Sequence, residues 1–583
     1  MILAFTQFVG MNSDVSAEQL PSSFAVEATD TYTEQGELKS WKQPLTVSGT
    51  WNNKTGRLNT LYYLNNEIFL AWREFVDVVP VQKKSNLDSE ILFTGTDKPR
   101  FTNRSLARQG GGNSYPTVSY GLGVPTPKTA PNASRYEPTT IDGGLVMSRV
   151  IPGTVGDNVG DRIARTFVYT FISKTGREGA PSPASEIVYA NDSEEIILTG
   201  FEAPPNADVN GIKLYMASGG ETFNYLSAHS LPLSSLTLTK FSIGSAISTT
   251  LYSAPPDGMI GVVTLANGIT AGFMGNNVYL SEPYQTHAYP EDYILVMPYS
   301  IIGLAAKGNY LYIMTEGGVH FALVTNPSTA TTQLMGGVQP PLNRRSIVDM
   351  GATGIMYSSI DGVVLLNQGQ SLMISDGIIS EEMFRSLQPV GMHAYFYRDK
   401  YICFYDANQN VYDGVYNNVY VGDNGVLEAI QLITGERFPS KGAFVLDAKR
   451  KTVSFLNLTA TTGYSDRANG MLYLVQNNGN SNTLVKFNEG SSSMTGVWRC
   501  RPTITAPVSF STARVFSRSY PVTFELYADG NLKHTQTVTD NKPFRLPNNY
   551  RARSWSPRIT GANGAVQIFV AQSLAELQGV SNG

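Results

Sequence analysis

Beyond residue 250, hydrophobic and polar positions alternate in short runs that come in pairs, each pair split by a few turn-forming residues. The clearest pair is ITAGFMG followed by NVYLSEP, joined through Gly275-Asn276-Asn277. A Gly-Asn turn between two period-two runs predicts a β-hairpin. The plan returns in GNYLYIMTEGGVHFALV from Gly308, GIMYSSIDGVVLLNQ from Gly354 and RDKYICFYDANQNVYDG from Arg398. It returns again in KGAFVLDAKRKTVSFLN from Lys441 and NGMLYLVQNNGNSNTLVKFN from Asn469. From Gly268 through Gly308, Gly354 and Arg398 to Lys441 the steps are 40, 46, 44 and 43 residues. An all-strand repeat of this length predicts β-propeller blades, small antiparallel sheets that bury their faces only against one another. The step from Lys441 to Asn469 is short, so the last blade is expected to borrow a strand from far away. The candidates are Leu61 to Trp72 and Ser89 to Gly95.

The rest of the chain divides around that array. Residues 1–125 alternate strands with polar turns and are expected to contribute to the propeller; Gln109 to Ser114, rich in glycine, reads as a break. Tyr120 to Pro138 is rich in Pro, Gly and Thr and predicts an extended linker. In 126–253, FVYTFIS, GIKLYMAS and FNYLSAHSL predict an inserted β-sandwich of fibronectin III type. Residues 254–498 hold the blades, and 499–583 predict a C-terminal antiparallel β-sheet domain with a hairpin turn at Asp529-Gly530. The one clear helix is Ser380 to Leu387, with Ser380 as N-cap and two carboxylates in its first turn. The fold class expected is therefore all-β: a β-propeller with an inserted fibronectin III-like β-sandwich and a C-terminal antiparallel β-sheet domain.

Composition narrows the function. A chain of 583 residues exceeds one core, so two to four domains are expected. Charged residues make up 15% and the formal net charge is −4, which argues against binding by phosphate neutralisation. It leaves room for DNA that merely passes by. The two cysteines, Cys403 and Cys500, read as buried free thiols suited to a reducing cytoplasm. The N-terminal stretch has no basic region ahead of an apolar one, so no secretory signal is expected, and no run reaches the length of a membrane helix.

The run PPDGMIGVVTLANGITAGFMGNNVYLSEPYQTHAYP, Pro255 to Pro290, resembles a stretch of virion structural proteins of tailed bacteriophages. The residues that carry the likeness are Pro255, Pro256, Gly272, Gly275, Asn276, Ser281, Glu282, Pro283, His287 and Pro290. Tyr169 to Ser185, Ser358 to Leu366 and the ending from Tyr520 onward match in the same order. The family is the tail nozzle, or tail tubular protein B, of short-tailed phages. This chain departs from it in having Tyr289 where the family tends to have Trp, and Ala266 where Pro is common. The resemblance implies a propeller-based subunit of a homo-hexameric ring below the head-to-tail adaptor. That ring would enclose the DNA exit channel and carry fibres or spikes, in a virion assembled in the host cytoplasm. The residues themselves carry no signal for a membrane span, a cofactor or a metal, and none is expected.

Candidate chemistry is thin. The pairs Glu194-Glu195, Glu291-Asp292 and Glu381-Glu382 are adjacent in sequence, and neighbours on a strand point to opposite faces, so they do not by themselves make a glycosidase site. Ser358 to Gly362 resembles the Asp-box turn of sialidases but lacks its closing Thr-Trp, and reads as a hairpin turn. The five histidines, His229, His287, His320, His393 and His534, have no metal-ligand spacing. Arg545, Arg551, Arg553 and Arg558, with Trp555 among them, form the densest basic cluster and read first as a subunit or partner interface, second as a DNA-touching patch. Lys449-Arg450-Lys451 reads as a hairpin tip. The expected protein is a non-enzymatic tail component whose weakly acidic lumen lets DNA pass; the alternatives are a propeller glycan hydrolase or a receptor-binding adhesin.

Overall fold

A computed structural model describes residues 1–48, 56–81, 89–109, 116–141, 145–152, 162–192, 194–220, 222–407, 440–479 and 481–578. Its regular structure is almost all β-strand, and most of its sheets are four-stranded. Taken in chain order, seven sheets succeed one another around an axis, and we refer to them as blades I to VII. Blade I is the hairpin Thr60–Leu64 and Ile68–Trp72. Blade II is Asp77–Pro80, Glu90–Thr94, Arg100–Asn103 and Tyr120–Gly121. Blade III is Ile260–Thr264, Thr270–Met274, Asn277–Leu280 and Ile294–Val296. Blade IV is Ile301–Lys307, Tyr310–Thr315, Gly318–Leu323 and Gln333–Leu334. Blade V is Val348–Asp349, Ile355–Ser358, Val363–Asn367 and Gln370–Met373. Blade VI is His393–Tyr397, Lys400–Asp406, Lys441–Asp447 and Thr452–Leu456. Blade VII is Thr462–Asp466, Met471–Asn477 and Asn482–Lys486.

Side-chain alternation explains why these sheets need each other. In Tyr310–Thr315, Leu311 and Ile313 pack with Ala271, Phe273 and Leu280 of blade III. The intervening Tyr312 and Met314 pack with Ile355, Tyr357 and Leu366 of blade V. Successive side chains point to opposite faces, so a strand apolar at every position is stable only with a sheet on each side. The same division recurs around the ring. Tyr401, Cys403 and Phe444 of blade VI belong to the core shared with blade V, while Ile402, Phe404 and Val445 face Leu472 and Leu474 of blade VII. Tyr473 and Val475 meet Leu61 and Phe69 of blade I, and Leu70 and Trp72 meet Ile91 and Phe93 of blade II. Leu92 and Phe101 complete the circuit against Met259 and Tyr289 of blade III. The sheets thus form a propeller-like ring that no break interrupts.

The ring is closed by the N-terminal segment. Leu45–Thr46 pairs antiparallel with Val485 and Lys486 and supplies the fourth strand of blade VII. Trp41, just before it, sits in the core of that blade against Phe487 at 5.2 Å and Tyr397 at 6.3 Å. The two segments expected to close the last blade do other things: Leu61 to Trp72 makes blade I, and Ser89 to Gly95 lies inside blade II. The two-residue strand at Leu45–Thr46 is too short and too exposed to leave a periodic trace. The step from Arg398 to Lys441 also proves not to be a blade-to-blade step. Both anchors lie in blade VI, separated by residues 408–439, which are outside the described residues, as is the expected strand NVYDG. The Gly-rich break at 110–115 lies outside them too.

Two further bodies flank the ring. The inserted segment folds as two sheets. One is Leu145–Pro152, Asn132–Ile141, Glu195–Thr199 and Ser235–Leu238. The other holds Glu178–Pro181, Ile163–Ser173, Val209–Ser218 and Asn224–Ser230. Phe167, Tyr169, Phe171, Ile212 and Leu214 of one pack against Ile196 and Leu198 of the other. The expected linker is shorter than its composition suggests, because Asn132 to Pro138 belongs to a strand. Near the C-terminus, Ala25–Thr29 sits beside Gly496–Cys500 and joins the outer strand of blade VI to it, so that sheet runs unbroken into Ala552–Gly561, Val522–Ala528 and Asn531–Val538. The facing sheet pairs Ile2–Phe5 with Gln567–Ala571 and Thr512–Phe516. The first strands of the chain therefore complete the C-terminal body, and only the segment from Leu45 joins the ring.

Several turns form as their residues demand. Gly275 adopts φ +60° at the first hairpin, and Asp529 and Gly530 adopt φ +46° and +80° at the C-terminal one, the left-handed pair a two-residue hairpin turn requires. Ser380 caps helix Glu381–Ser386, its hydroxyl accepting from the Met383 N–H at 3.4 Å. Ser359 to Gly362 is a hairpin turn and Lys449 to Lys451 a hairpin tip.

Trp41→Ala is expected to lower stability by about 3–5 kcal/mol, the usual cost of emptying a site of that size. Urea unfolding at constant m-value checks it; an effect below about 1 kcal/mol would mean that the N-terminal segment does not hold blade VII closed.

Candidate partner surfaces and the axial cavity

Strands of six blades, with the turn ahead of blade V, line a cavity of about 390 Å³. Its wall includes Tyr62, Val78, Val262, Leu304, Tyr395 and Tyr464. Two arginines from the short turn Arg344–Ser346, ahead of blade V, reach across it. Arg344 lies 3.2 Å from Asp77 and donates to the Phe75 carbonyl at 3.1 Å. Arg345 donates to Thr60 Oγ1 at 3.1 Å and lies over the Phe75 ring. Asn343 caps that turn, accepting from the Ser346 N–H at 3.1 Å. Elsewhere near the axis, Asp349 of blade V takes Lys307 of blade IV and Arg467 of blade VII, at 3.1 and 3.2 Å. Arg344–Asp77 and Arg467–Asp349 join parts of the ring that are not neighbours, whereas Lys307–Asp349 ties blade IV to the next blade. Nothing in the sequence beyond an Asn-Arg-Arg triplet announced them.

Asp77 is the one carboxylate among the described residues lining the cavity, and Arg344 and the Gly261 N–H, at 3.2 Å, already engage it. A glycoside hydrolase needs a second acid within about 5–10 Å across an open space. The adjacent acidic pairs lie elsewhere: Glu194 binds Arg162 at 2.7 Å, Glu291 and Asp292 occupy a surface 3-10 turn, and Glu381 and Glu382 stand in the first turn of their helix. Among the described residues no cluster of three or more His, Cys, Asp or Glu is arranged to hold a metal ion.

The resemblance-bearing stretch is the seam between blade III and the inserted sandwich. Arg177, in the turn before Glu178–Pro181, reaches blade II, where it pairs with Glu90 and lies 3.7 Å over the Phe101 ring. Both members of this pair are buried. Burial pulls the guanidinium below its ordinary range, and Glu90 opposes that. His287 Nε2 is 3.1 Å from the Glu178 carbonyl, and its ring stands edge-on to Tyr252. Burial, reinforced by the Arg177 charge, lowers His287 to about 4. Burial raises Tyr289 to about 12, and its hydroxyl meets Thr270 Oγ1 at 2.8 Å. Ser281 accepts from the Thr270 N–H at 2.9 Å, Glu282 accepts from Tyr293, and Asn276 donates to the Met297 carbonyl at 3.0 Å. Gly272 lies under the Met259 side chain and Pro255 against Gly123. Of the expected positions, then, Pro255, Gly272, Gly275, Asn276, Ser281, Glu282 and His287 hold the hairpin and its seam. Pro256 carries the turn that places Met259, Pro283 is exposed in the loop after Asn277–Leu280, and Pro290 precedes the 3-10 turn.

The C-terminal cluster separates into two groups. Arg545, Arg551 and Arg553 are exposed. Trp555 is wholly buried against Phe510, 4.8 Å between ring centroids, and is unavailable to a partner. Arg558 is held between Glu27 and Glu525, at 3.0 and 2.6 Å. Arg553 and Trp555 are two residues apart, yet one is exposed and the other buried; the pairing of this strand with Thr503–Val508 shifts register there, and regular alternation does not sort the cluster. Cys403 and Cys500 are free and buried, as their apolar settings suggested, and burial holds the Cys500 thiol up at about 12.

No family model and no curated protein matches this chain. Among solved structures, a CNH domain of AfRom2 aligns at TM-score 0.27 and 6% identity, covering 76% of this chain and 98% of that one. An exo-beta-1,3-galactanase from Phanerochaete chrysosporium aligns at TM-score 0.17 and 8% identity, covering 89% and 100%. The extracellular domain of a one-component system from B. thetaiotaomicron aligns at 0.22 and 8%, covering 94% and 95%. Likenesses this slight carry no inference about activity.

Two outcomes are expected at the seam. Arg177→Met strands the buried Glu90 carboxylate and is expected to cost about 3–5 kcal/mol, whereas Arg177→Met with Glu90→Leu costs markedly less; a double-mutant cycle by denaturant unfolding reads this, and additive costs would contradict it. For His287, protonation is favoured in the unfolded chain, near 6.5, before it is in the folded one, near 4. The unfolded state thus binds more protons between those values, and stability present in full above pH 6.5 declines by about 3 kcal/mol as pH falls to 4. His287→Gln should flatten that decline by the same amount in unfolding curves taken at pH 7, 5.5 and 4; an unchanged slope would refute it.

Proposed function

We propose that this chain is a structural subunit of a short bacteriophage tail, forming the nozzle ring at its distal end below the head-to-tail adaptor. The observation that carries the reading is the cross-braced axis, whose cavity is lined by two arginines and a single carboxylate among the described residues. Arg344 and Arg345 span the space where a propeller enzyme keeps its acids, so the ring of sheets serves as a stiff block. The sequence stretch that resembles tail nozzle proteins is spent on fixing the inserted sandwich to that block, as suits a part that transmits force between partners.

On this reading DNA does not thread a single propeller. Its channel is enclosed between subunits arranged around a common axis, six by the resemblance, and the net charge of −4 suits a wall that does not hold DNA. The inserted segment is read as a fibronectin III-like sandwich; it and the C-terminal sheets offer surfaces to the adaptor and to fibres or spikes. The subunit is non-enzymatic, binds no cofactor, and resides in the virion after assembly in the host cytoplasm.

Negative-stain microscopy of the purified protein mixed with its adaptor is expected to show a six-fold annulus. Compact monomers that release sugar from host glycans would overturn the reading in favour of the hydrolase.

A further inference from the structure

A cleft of about 510 Å³ opens where three distant parts of the chain meet. They are the hairpin Thr31–Glu34 and Glu37–Ser40, the loop after the third strand of blade VII, and the loops 517–519 and 562–566 of the C-terminal sheets. The cleft shares no lining residue with the axial cavity. Its walls are fixed by the fold. Leu38 donates its N–H to the Ala565 carbonyl at 3.0 Å, and Gly564 lies so close to the Leu38 carbonyl that an added Cβ would collide with it. Ser517 Oγ donates to the Gly564 carbonyl at 2.6 Å, and Ser40 Oγ to the Gly561 carbonyl at 3.0 Å. Lys42, at the start of the segment that closes blade VII, donates its N–H to Asn488 Oδ1 at 2.8 Å.

Two cations are presented to this space. The carboxylates around it are engaged one by one: Glu37 holds Arg518, Glu34 holds Lys39, Asp399 holds Lys449 and Asp447 holds Lys400. Asp30, behind the hairpin, is buried and accepts from the Asn457 N–H at 2.7 Å. Lys42 has no carboxylate partner among the described residues, and Arg398 has only Glu489, at 3.5 Å. Arg398 also occupies a backbone position that its type disfavours. It opens the hairpin turn of blade VI at φ +47°, followed by Asp399 at +65°. Such a left-handed pair favours Asn-Gly, and a long side chain there is strained. Strain of this kind persists where a side chain has a task. The guanidinium is 58% exposed and lies 5.0 Å from the centre of the Tyr397 ring. Tyr32 supplies an aromatic wall, backed by Trp41 at 4.4 Å between ring centroids. Burial holds the Tyr32 hydroxyl above its ordinary range and Glu34 adds to this, while the nearby Lys39 and Arg398 charges oppose it. Ser493, Ser519 and Asn563 edge the rest with hydroxyls and an amide.

We propose that this cleft binds an acidic sugar, a saccharide bearing a carboxylate or phosphate group, with the oxyanion toward Arg398 and Lys42 and the sugar ring against Tyr32. A guanidinium presents paired donors that match either oxyanion. A lone inorganic ion would leave most of a space this size empty. A sugar ring is apolar on its face and hydroxylated at its edge, which matches an aromatic wall fringed by hydroxyls and an amide. The walls come from segments as far apart as Tyr32 and Asn563, so the site exists only once the N-terminal segment has closed the ring. A ligand held there stabilises that closure. The inference goes beyond the ring reading and does not depend on it.

The test measures binding of glucuronate, glucose 6-phosphate, glucose and inorganic phosphate to the full chain by calorimetry and thermal shift. At least one of the two acidic sugars is expected to bind and to raise the thermal midpoint, less so in high salt. Which of them binds tells a carboxylate site from a phosphate site. Arg398→Asn suits the left-handed turn better than arginine does, so this variant is expected to keep or raise the midpoint without ligand while its affinity falls about tenfold. Lys42→Gln is expected to lose affinity with its midpoint unchanged. The proposal is overturned if neither acidic sugar binds at about 1 mM, or if glucose or inorganic phosphate alone binds as tightly as the acidic sugars. It is overturned equally if either variant binds as the wild type does. The annulus seen by microscopy bears on the ring reading alone, so the two can fail separately.

Discussion

Strands that are apolar at every position constrain everything else in this molecule. Leu311 to Met314 of the strand Tyr310–Thr315 are buried on both faces, which requires a sheet on each side. Any row of such sheets leaves two end faces bare unless it curves back on itself. At roughly 25 cal/mol per Å² of apolar surface, a bare blade face would cost more than the marginal stability of a domain. Closure is therefore an energetic requirement, and the chain meets it by sending Leu45–Thr46 to the outer side of blade VII. That the closing strand comes from the far end of the sequence makes the ring's last step long-range, late in folding by the logic of loop-closure entropy.

The polar contacts orient what the apolar ones bury. Arg177–Glu90 and Arg344–Asp77 are both largely removed from water. Desolvation offsets most of the attraction in such pairs, and well-packed apolar replacements are often no worse. Their effect is on geometry: a misplaced sandwich, or a rotated blade V, would strand a charge in a low-dielectric interior. The seam and the axis are thus specified by penalties against wrong arrangements, while the clusters between blades supply the stability. It also explains why residues of the resembling stretch, such as Ser281 and His287, are satisfied inside the structure and do not project from it.

Much of this was legible in the chain, for an identifiable reason. The hairpins at Gly275, Gly308 and Gly354 are local, set by turn chemistry and period-two alternation, and each appears where those signals put it. What could not be read were relations between distant segments. Leu45–Thr46 is two residues long, and Ala25–Thr29 reaches the C-terminal body through a pairing some 470 residues away, Thr29 with Val497. The blade count was obscured by the segment 408–439, which makes two halves of blade VI look like two repeats. The arginine cluster failed differently. Arg545, Arg551 and Arg553 are exposed, but Trp555 is core and Arg558 is half-buried between two carboxylates, a division that simple alternation, which would put Arg553 and Trp555 on one face, does not announce.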